Sequence, residues 1–271
     1  MASDHGYAPV NGLNMYYEIR GQGKTPLLLL HGGAGVIDMF GPVLDSLAEN
    51  RTVIAAELQA HGHTADIDRP LRYETLADDV AALIGHLGLR KVDAMGYSLG
   101  GGVALRLALQ DPQLLSRLVV VSAPFKRQGW YPEILEAMQQ GAGAETAEAL
   151  KQTPMGQAYV KVAPRVQDWP VLMKKLAEML KREYDWSEEV KKMKVPTLLV
   201  VGDADSVIPS HAVEFFELLG GGKRDGGWDR SGMSSSRLAV LPGTTHYTIF
   251  TSPRLAGMVE PFLDGPGPGA R

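Results

Sequence analysis

The stretch that decides the fold is Val92–Gly100, with the sequence VDAMGYSLG. Its first six residues form a largely apolar run, which predicts a buried strand, and a helical pattern begins at Leu99. At the junction lies the pattern Gly-x-Ser-x-Gly, centred on Ser98. A tight turn from strand to helix would hold the Ser98 hydroxyl above the sheet, because the flanking glycines allow close backbone approach. The stretch therefore predicts a serine nucleophile at the carboxyl end of a central strand.

Apolar runs and helical patterns alternate outward from this stretch in both directions. Near-continuous apolar runs are typical of strands covered on both faces, and they lie at Pro26–Leu30, Thr52–Leu58, Leu118–Ser122, Thr197–Val201 and Leu238–Leu241. Further helices are predicted over Thr75–Leu87, Pro209–Leu219 and Pro253–Leu263. Met15–Ile19, after the turn signal Asn11-Gly12, predicts an antiparallel edge strand. This alternation predicts an α/β fold with a doubly wound, mostly parallel sheet and a site beyond the carboxyl ends of its strands.

The sequence divides into four segments. Residues 1–123 and 194–264 are predicted to form the two parts of the α/β core. Residues 124–193 show no clear strand pattern and several prolines, so we interpret them as an inserted helical cap; a set of further peripheral helices is the alternative. Residues 265–271, GPGPGAR, are predicted to be a disordered tail.

Composition excludes several classes of protein. The 271 residues are 45% hydrophobic and 21% charged, which excludes a disordered or fibrous chain. A net charge of −4 without a basic stripe argues against a nucleic-acid partner. The chain has no cysteine, which excludes a thiol nucleophile and a thiolate metal site. No run approaches the ~20 apolar residues of a membrane helix, and the first residues lack a signal-peptide pattern, so we expect a cytoplasmic protein without membrane insertion.

Two backbone N–H groups are candidates for stabilising an oxyanion. The sequence HGGAG, residues 31–35, follows the strand Pro26–Leu30, and Gly33 is the first candidate there, with Ala34 as the alternative. The second is Leu99, whose N–H lies at a helix N-terminus, where the helix dipole favours negative charge. His31 is interpreted as a structural residue that fixes this loop.

An acid and a base also follow predicted strands. Asp203 and Asp205 both come after Thr197–Val201 and compete for the role of the acid. His246 comes after Leu238–Leu241. A serine nucleophile needs such a base, because its hydroxyl is a weak nucleophile at its own pKa.

These motifs together resemble the α/β-hydrolase fold superfamily over nearly the whole chain, in its capped serine esterase or lactonase form. The resemblance rests on His-Gly after an early strand, Gly-x-Ser-x-Gly, Gly-x-x-Asp-x-x-x-Pro at residues 202–209 and a late loop histidine. In such proteins the acid lies three residues after the glycine and four before the proline, which only Asp205 satisfies. The resemblance implies a catalytic triad of Ser98, Asp205 and His246 that needs neither a metal nor an organic cofactor.

One loop departs from the pattern of the superfamily. The sequence ELQAHGHT, residues 57–64, resembles the family's Asp-x-x-Gly-His-Gly-x-Ser loop, with Glu57, Ala60 and Thr64 at three changed positions. These departures concern loop geometry and leave the triad intact. His61 and His63 could suggest a metal site, but no accompanying ligand set is visible and alternate residues usually point apart, so we expect no metal there.

The expected function is hydrolysis of carboxylic esters or lactones, including acyl-homoserine lactones, through an acyl-enzyme. Serine at position 98 disfavours the epoxide hydrolases and dehalogenases of the superfamily, which use aspartate there. A carbon–carbon bond hydrolase or a cofactor-free perhydrolase on the same triad is the alternative. A ligand-binding receptor on a hydrolase scaffold is an alternative of another class.

The partner we expect is a small-molecule ester or lactone with an apolar acyl group. The predicted cap is rich in aromatic residues and methionines, which suit such a pocket. Trp130 and Tyr131 lie shortly after the strand Leu118–Ser122 and are the cap residues expected to reach the substrate. Ala34 and Tyr97, beside the oxyanion donor and the nucleophile, complete the predicted substrate-binding set.

Overall fold

A computed structural model describes residues 4–23, 25–141 and 143–265. Over these residues eight strands form one sheet in the order β1-β2-β4-β3-β5-β6-β7-β8. The strands are β1 Asp4–Val10, β2 Leu13–Arg20, β3 Leu27–Leu30, β4 Val53–Ala56, β5 Val92–Tyr97, β6 Leu115–Val121, β7 Thr197–Ala204 and β8 Arg237–Thr245. The helices are α1 Pro42–Glu49, α2 Tyr73–His86, α3 Leu99–Gln110, α4 Pro132–Gln140, α5 Ala144–Lys151, α6 Pro154–Val162, α7 Trp169–Leu180, α8 Ser187–Val190, α9 Pro209–Leu218 and α10 Pro253–Asp264. Short 3₁₀ helices lie at Ile37–Phe40, Pro112–Leu114, Arg127–Gly129, Val166–Asp168 and Ile249–Thr251.

The sheet is mostly parallel, which confirms the predicted fold class. Strands β4, β3, β5, β6, β7 and β8 pair in parallel, whereas β1 pairs antiparallel with β2 and β2 pairs antiparallel with β4. The four leucines of β3 show why the parallel part is buried on both faces. Leu28 and Leu30 join a core with α2 and α3, while Leu27 and Leu29 join a second core with α1 and α10. Successive side chains of a strand point to opposite faces, so a run of leucines fills both cores.

The edge of the sheet differs from the sequence prediction. The turn at Asn11 and Gly12 is present, with φ of 46° and 85°, and it joins β1 to β2 with Val10 opposite Leu13. The edge-strand prediction for Met15–Ile19 is wrong, because β2 pairs on both sides and β1 is the edge. Strand β1 was not predicted, because its sequence is polar and most of its first residues are exposed.

The helices differ from the sequence prediction at two places. Helix α1 was not predicted at all. Helix α2 begins at Tyr73, before the predicted start at Thr75, and its N-cap residue Arg72 makes no capping hydrogen bond through its side chain. The Thr75 hydroxyl donates to the Arg72 carbonyl at 3.2 Å, so Thr75 lies in the first turn of the helix and does not begin it.

The chain between β6 and β7 forms helices α4 to α8, which we call the insertion. Its two ends meet in a neck, where the Arg127 N–H donates to the Tyr184 carbonyl at 3.0 Å and the Trp186 N–H donates to the Phe125 carbonyl at 3.1 Å. The limits of the predicted segments stay a prediction, and residues 266–271 of the predicted tail lie outside the described residues. None of the helices in the described ranges combines the length and apolar character needed to cross a bilayer.

Candidate active site

Ser98 lies in the sharp turn that its sequence motif predicts. Its backbone has φ of 53° and ψ of −117°, a conformation that costs energy for a residue other than glycine. The flanking glycines are required by contact, because a Cβ on Gly96 would lie 2.0 Å from the Gly100 carbonyl oxygen. A Cβ on Gly100 would lie 2.4 Å from the Leu30 carbonyl oxygen. The turn therefore holds Ser98 at the N-terminus of α3, with its side chain partly exposed.

Three side chains from the ends of three strands form one hydrogen-bonded chain. The Ser98 Oγ lies 3.1 Å from Nε2 of His246, and Nδ1 of His246 lies 2.9 Å from Oδ1 of Asp205. Asp205 and His246 are only 5% and 8% exposed. These distances suit proton transfer from a serine to a histidine that a carboxylate orients.

Asp205 is held by donors on both of its oxygens. Besides His246, Oδ1 accepts from the Val207 N–H at 3.2 Å, and Oδ2 accepts from the Gly202 N–H at 3.0 Å and from the Ser122 hydroxyl at 2.5 Å. Burial alone would raise the pKa of Asp205, but the hydrogen bonds and the neighbouring His246 outweigh burial and lower that pKa. Asp205 is therefore a fixed anion beside His246 at neutral pH.

Asp203 occupies a different place. It is exposed, and its Oδ1 accepts from the Gly243 N–H at 2.8 Å and the Thr244 N–H at 3.2 Å. The hydrogen bond from Gly243 is the main reason that the pKa of Asp203 is lowered. Asp203 thus fastens the loop that leads to His246, while Asp205 makes the contact with the imidazole.

The two candidate oxyanion donors lie side by side. A Cβ on Gly33 would lie 3.9 Å from the Leu99 Cβ, so the loop after β3 and the start of α3 are in contact. Among the described residues, neither the Gly33 N–H nor the Leu99 N–H has a hydrogen-bond partner. Both groups are therefore free to donate to a developing oxyanion beside Ser98.

His31 fixes the oxyanion loop through both ring nitrogens. Its Nδ1 lies 2.7 Å from the Gly32 carbonyl oxygen, and its Nε2 accepts from the Leu58 N–H at 3.1 Å. Burial lowers the pKa of His31, which favours the neutral ring that this pair of contacts requires. Ala34, the alternative oxyanion donor, is 4% exposed and has a left-handed backbone with φ of 56°.

Glu57 links the chain just after the oxyanion loop to the loop at residues 57–64, which departs from the pattern of the superfamily. Its Oε1 accepts from the Ile37 N–H at 3.1 Å, and its Oε2 accepts from the His63 N–H at 2.6 Å. His63 Nδ1 also lies 2.9 Å from that carboxylate, whereas Nδ1 of His61 lies 2.8 Å from the Gln59 carbonyl oxygen. The two histidines thus make separate contacts. Ala60 has φ of 68°, which explains why glycine suits this position in the superfamily.

The remaining predicted substrate-binding residues differ in their contacts. The Tyr97 hydroxyl donates to the His246 carbonyl oxygen at 2.7 Å, so Tyr97 supports the base from a buried position. The Trp130 ring meets the His246 ring edge-on with 5.4 Å between centroids. The Tyr131 N–H donates to the Ser206 carbonyl oxygen, and the described contacts do not join its side chain to the triad. Of the two residues predicted to reach the substrate from the cap, Trp130 is therefore the one that contacts the triad.

Ser122 is a site residue that the sequence analysis missed. It is completely buried, its hydroxyl bonds Asp205, and its backbone has φ of 52° although it is not a glycine. Backbone strain of this kind persists only where the surrounding structure imposes it. A serine directly after β6 was a weak signal, because the end of a strand is a common place for a polar residue.

Ser122 is expected to act as a positioning residue for the acid. Replacing Ser122 with Ala or Gly should lower kcat about 10- to 100-fold with little change in KM, because a hydrogen bond to a charged group contributes about 1.5–3 kcal/mol. Steady-state kinetics on a p-nitrophenyl ester measures both constants. Both variants remove the hydroxyl, but only Ser122→Gly also relieves the backbone strain, since glycine adopts a positive φ freely. Comparing the two variants therefore separates the effect of the hydrogen bond from the effect of the strain. If Ser122→Gly kept full kcat while Ser122→Ala lost it, strain and not the hydrogen bond would explain the residue.

Comparison with known proteins agrees with this architecture. A model of the α/β-hydrolase fold family matches residues 25–144, which include the oxyanion loop and the Ser98 turn. An uncharacterised protein of Mycobacterium tuberculosis is 26% identical over 95% of this chain and 80% of its own length. A non-heme chloroperoxidase of Kitasatospora aureofaciens is 28% identical over 74% of this chain and 82% of its own length.

The similarity in structure extends over nearly the whole chain. The crystal structure of the enol-lactonase from Burkholderia xenovorans superimposes with a TM-score of 0.73 at 21% identity, covering 95% of this chain and 99% of the lactonase. The fold, the turn at Ser98 and the matched family agree with one another. Residues 25–144 therefore match the α/β-hydrolase fold family, and the chain as a whole has the α/β-hydrolase fold.

Proposed function

We propose that this α/β-family hydrolase cleaves carboxylic esters or lactones through an acyl-enzyme formed on Ser98. The observation that carries the proposal is the continuous hydrogen-bonded chain from Ser98 through His246 to Asp205. A buried, ionised carboxylate at the far end of this chain fixes the imidazole, and the partly exposed hydroxyl at the near end is open to a substrate.

In the first half-reaction, the Ser98 Oγ attacks the carbonyl carbon while Nε2 of His246 accepts the hydroxyl proton. The carbonyl oxygen becomes an oxyanion, which the N–H groups of Gly33 and Leu99 would hold; each such donor is worth about 3–4 kcal/mol in comparable enzymes. Collapse of the tetrahedral intermediate breaks the bond to the leaving oxygen, and His246 gives that oxygen its proton. Asp205 stays ionised and stabilises the imidazolium.

In the second half-reaction, water attacks the acyl carbon and His246 accepts a proton from the water. The second tetrahedral intermediate then releases the carboxylic acid and returns the proton to Ser98. In a lactone the leaving oxygen stays attached to the acyl group, so the product is a single hydroxy acid. The same residues thus serve an ester and a lactone.

The side chains around the site favour an apolar acyl group. Leu99, Trp130 and Leu176 are each less than a tenth exposed; Leu99 and Leu176 lie beside Gly33, and Trp130 lies against His246. Lactones are included because the enol-lactonase shares the fold over nearly its whole length. Acyl-homoserine lactones fit the same description, with a small polar ring and an apolar tail.

Cofactor-free perhydrolysis is a second candidate, which the likeness to a chloroperoxidase favours. In this reaction hydrogen peroxide replaces water in the attack on the acyl-enzyme, and the product is a peracid. The bonds broken and formed up to the acyl-enzyme are the same, so the two activities differ only in the second nucleophile.

A substrate panel tests the proposal. We expect esters and lactones to have higher kcat/KM than β-diketone substrates that require cleavage of a carbon–carbon bond, because kcat/KM ratios measure differential binding of the transition state. Adding hydrogen peroxide to the ester assay and measuring peracid detects perhydrolysis. A folded protein that turns over only β-diketones, or none of these compounds, would overturn the proposal.

A further inference from the structure

Helix α7 of the insertion contacts the oxyanion loop. A Cβ on Gly33 would lie 3.7 Å from Cδ2 of Leu176, and that leucine is 7% exposed. The same Gly33 position lies 3.9 Å from the Leu99 Cβ. Leu176 therefore packs beside the two residues whose N–H groups would hold the oxyanion.

The sheet order tells which part of the substrate faces Leu176. Gly33 follows β3 and His246 follows β8, and these strands lie on opposite sides of β5, which carries Ser98. The leaving oxygen must face His246, because it receives its proton from there. The carbonyl oxygen faces the N–H groups of Gly33 and Leu99, so the carbon of the acyl group next to the carbonyl lies beside the same loop and beside Leu176.

The residue before Leu176 fastens α7 to the core. The Lys175 ammonium donates to Oδ2 of Asp66 at 2.7 Å, to the Ile67 carbonyl oxygen at 2.7 Å and to the Arg69 carbonyl oxygen at 2.9 Å. Its side chain is only 15% exposed. A lysine ammonium has three donors, and here all three bind one core loop, whereas lysine normally keeps its charge in water.

The loop that receives Lys175 is itself held from the core side. Nε2 of Gln59, which is completely buried, approaches Oδ1 of Asp66 and the Ile67 and Arg69 carbonyl oxygens at 2.9, 3.3 and 2.8 Å. Arg69 also pairs with the buried Asp79 of α2. The loop is thus a fixed anchor, and α7 takes its position from it.

Lys174 shows what an ordinary lysine does on the same helix. Its side chain is 76% exposed, and its ammonium lies 3.9 Å from the exposed Glu178. Lys174 and Lys175 are neighbouring lysines on the same helix, but only Lys175 binds the core loop at residues 66–69 in the described contacts. Lys174 is therefore a matched control for Lys175.

We propose that Leu176 excludes acyl groups that are branched at the carbon next to the carbonyl, and that Lys175 is the positioning residue that holds Leu176 there. The proposal rests on the proposed function and narrows its substrate class to esters and lactones with an unbranched carbon beside the carbonyl. The contact with Gly33 lies at the carbonyl itself, so bulk close to the carbonyl meets Leu176, whereas a linear chain can extend past it.

The test compares p-nitrophenyl butyrate with p-nitrophenyl isobutyrate in four proteins: the wild type and the variants Leu176→Ala, Lys175→Met and Lys174→Met. The wild type should favour butyrate in kcat/KM. Leu176→Ala should raise the ratio of kcat/KM for isobutyrate to kcat/KM for butyrate about tenfold. A factor of about ten is the smaller end of the discrimination that a pocket gives against one carbon atom. Lys175→Met should raise it in the same direction, and Lys174→Met should leave it unchanged.

Circular dichroism melting shows whether each variant is folded, and Leu176→Ala keeps the test valid if Lys175→Met does not fold. A wild-type ratio in folded Leu176→Ala would overturn the role of Leu176. A ratio in folded Lys175→Met equal to that of Lys174→Met would overturn the role of Lys175, even if its overall activity fell.

Failure of the proposed function gives a different result. If the wild type hydrolyses no ester but Ser98 still reacts with fluorophosphonates, the proposed function fails and the steric proposal remains testable. Inactivation rates with a linear or a branched alkyl group on phosphorus then replace the two esters. Equal discrimination in wild type and Leu176→Ala by these probes would overturn the steric proposal independently.

Discussion

Replacing Ser98 with alanine is expected to abolish ester turnover, with a loss in kcat on the order of 10⁶-fold, the size found when a serine protease loses its nucleophile. The substitution removes the oxygen that forms the acyl-enzyme in the proposed mechanism and leaves the turn intact, because alanine differs from serine by one oxygen. Turnover of p-nitrophenyl acetate measures the loss, and mass spectrometry after fluorophosphonate treatment measures the covalent adduct.

Ser210 provides the control for this experiment. It lies exposed on α9, so Ser210→Ala should keep both turnover and labelling. Labelling of the wild type should map to the peptide that contains Ser98. Normal turnover in Ser98→Ala, or an adduct on another serine, would refute the acyl-enzyme mechanism.

Asp205→Asn is expected to lower kcat by about 10⁴-fold, as the corresponding change does in serine proteases. An amide in place of the carboxylate no longer stabilises the imidazolium and can hold His246 in the wrong tautomer. Asp203→Asn is the matched control, because it lies two residues away and bonds only backbone N–H groups in the described contacts. We expect Asp203→Asn to change kcat less than about threefold, since an exposed site is well solvated.

Steady-state kinetics of both variants at neutral pH decides between the two aspartates. A larger loss of kcat in Asp203→Asn than in Asp205→Asn would show that Asp203, and not Asp205, is the acid. Equal, small losses would show that His246 works without a carboxylate partner. Melting temperatures measured alongside would show that differences in kcat are not differences in folding.

The parts of the site that the sequence predicts are those with a local pattern. The turn at Ser98 follows from glycines that nothing larger could replace, and the same stretch contains the strand before it and the helix after it. Asp203 and Asp205 could not be separated by local pattern, because both follow β7 closely. The family spacing favoured Asp205, and the structure gives the physical reason, since only that carboxylate is turned inward to His246.

The parts that the sequence could not predict depend on contacts between distant segments. Ser122 bonds a residue 83 positions later, and Lys175 bonds a loop more than 100 positions earlier. Neither residue belongs to a motif, and a lysine on an amphipathic helix is usually exposed. Strand β1 was missed for a related reason, because its place in the sheet comes from pairing with β2 and not from an apolar run of its own.

The neck at Phe125–Arg127 and Tyr184–Trp186 has an evolutionary consequence. It makes the intervening chain a loop whose two ends are already held together where they leave and rejoin the sheet. The entropic cost of closing a loop grows only slowly with its length, by about 0.6 kcal/mol for each doubling. Insertions of different lengths and helix patterns could therefore be exchanged at this neck, which lets new substrate preferences arise while the chemistry at Ser98 is inherited unchanged.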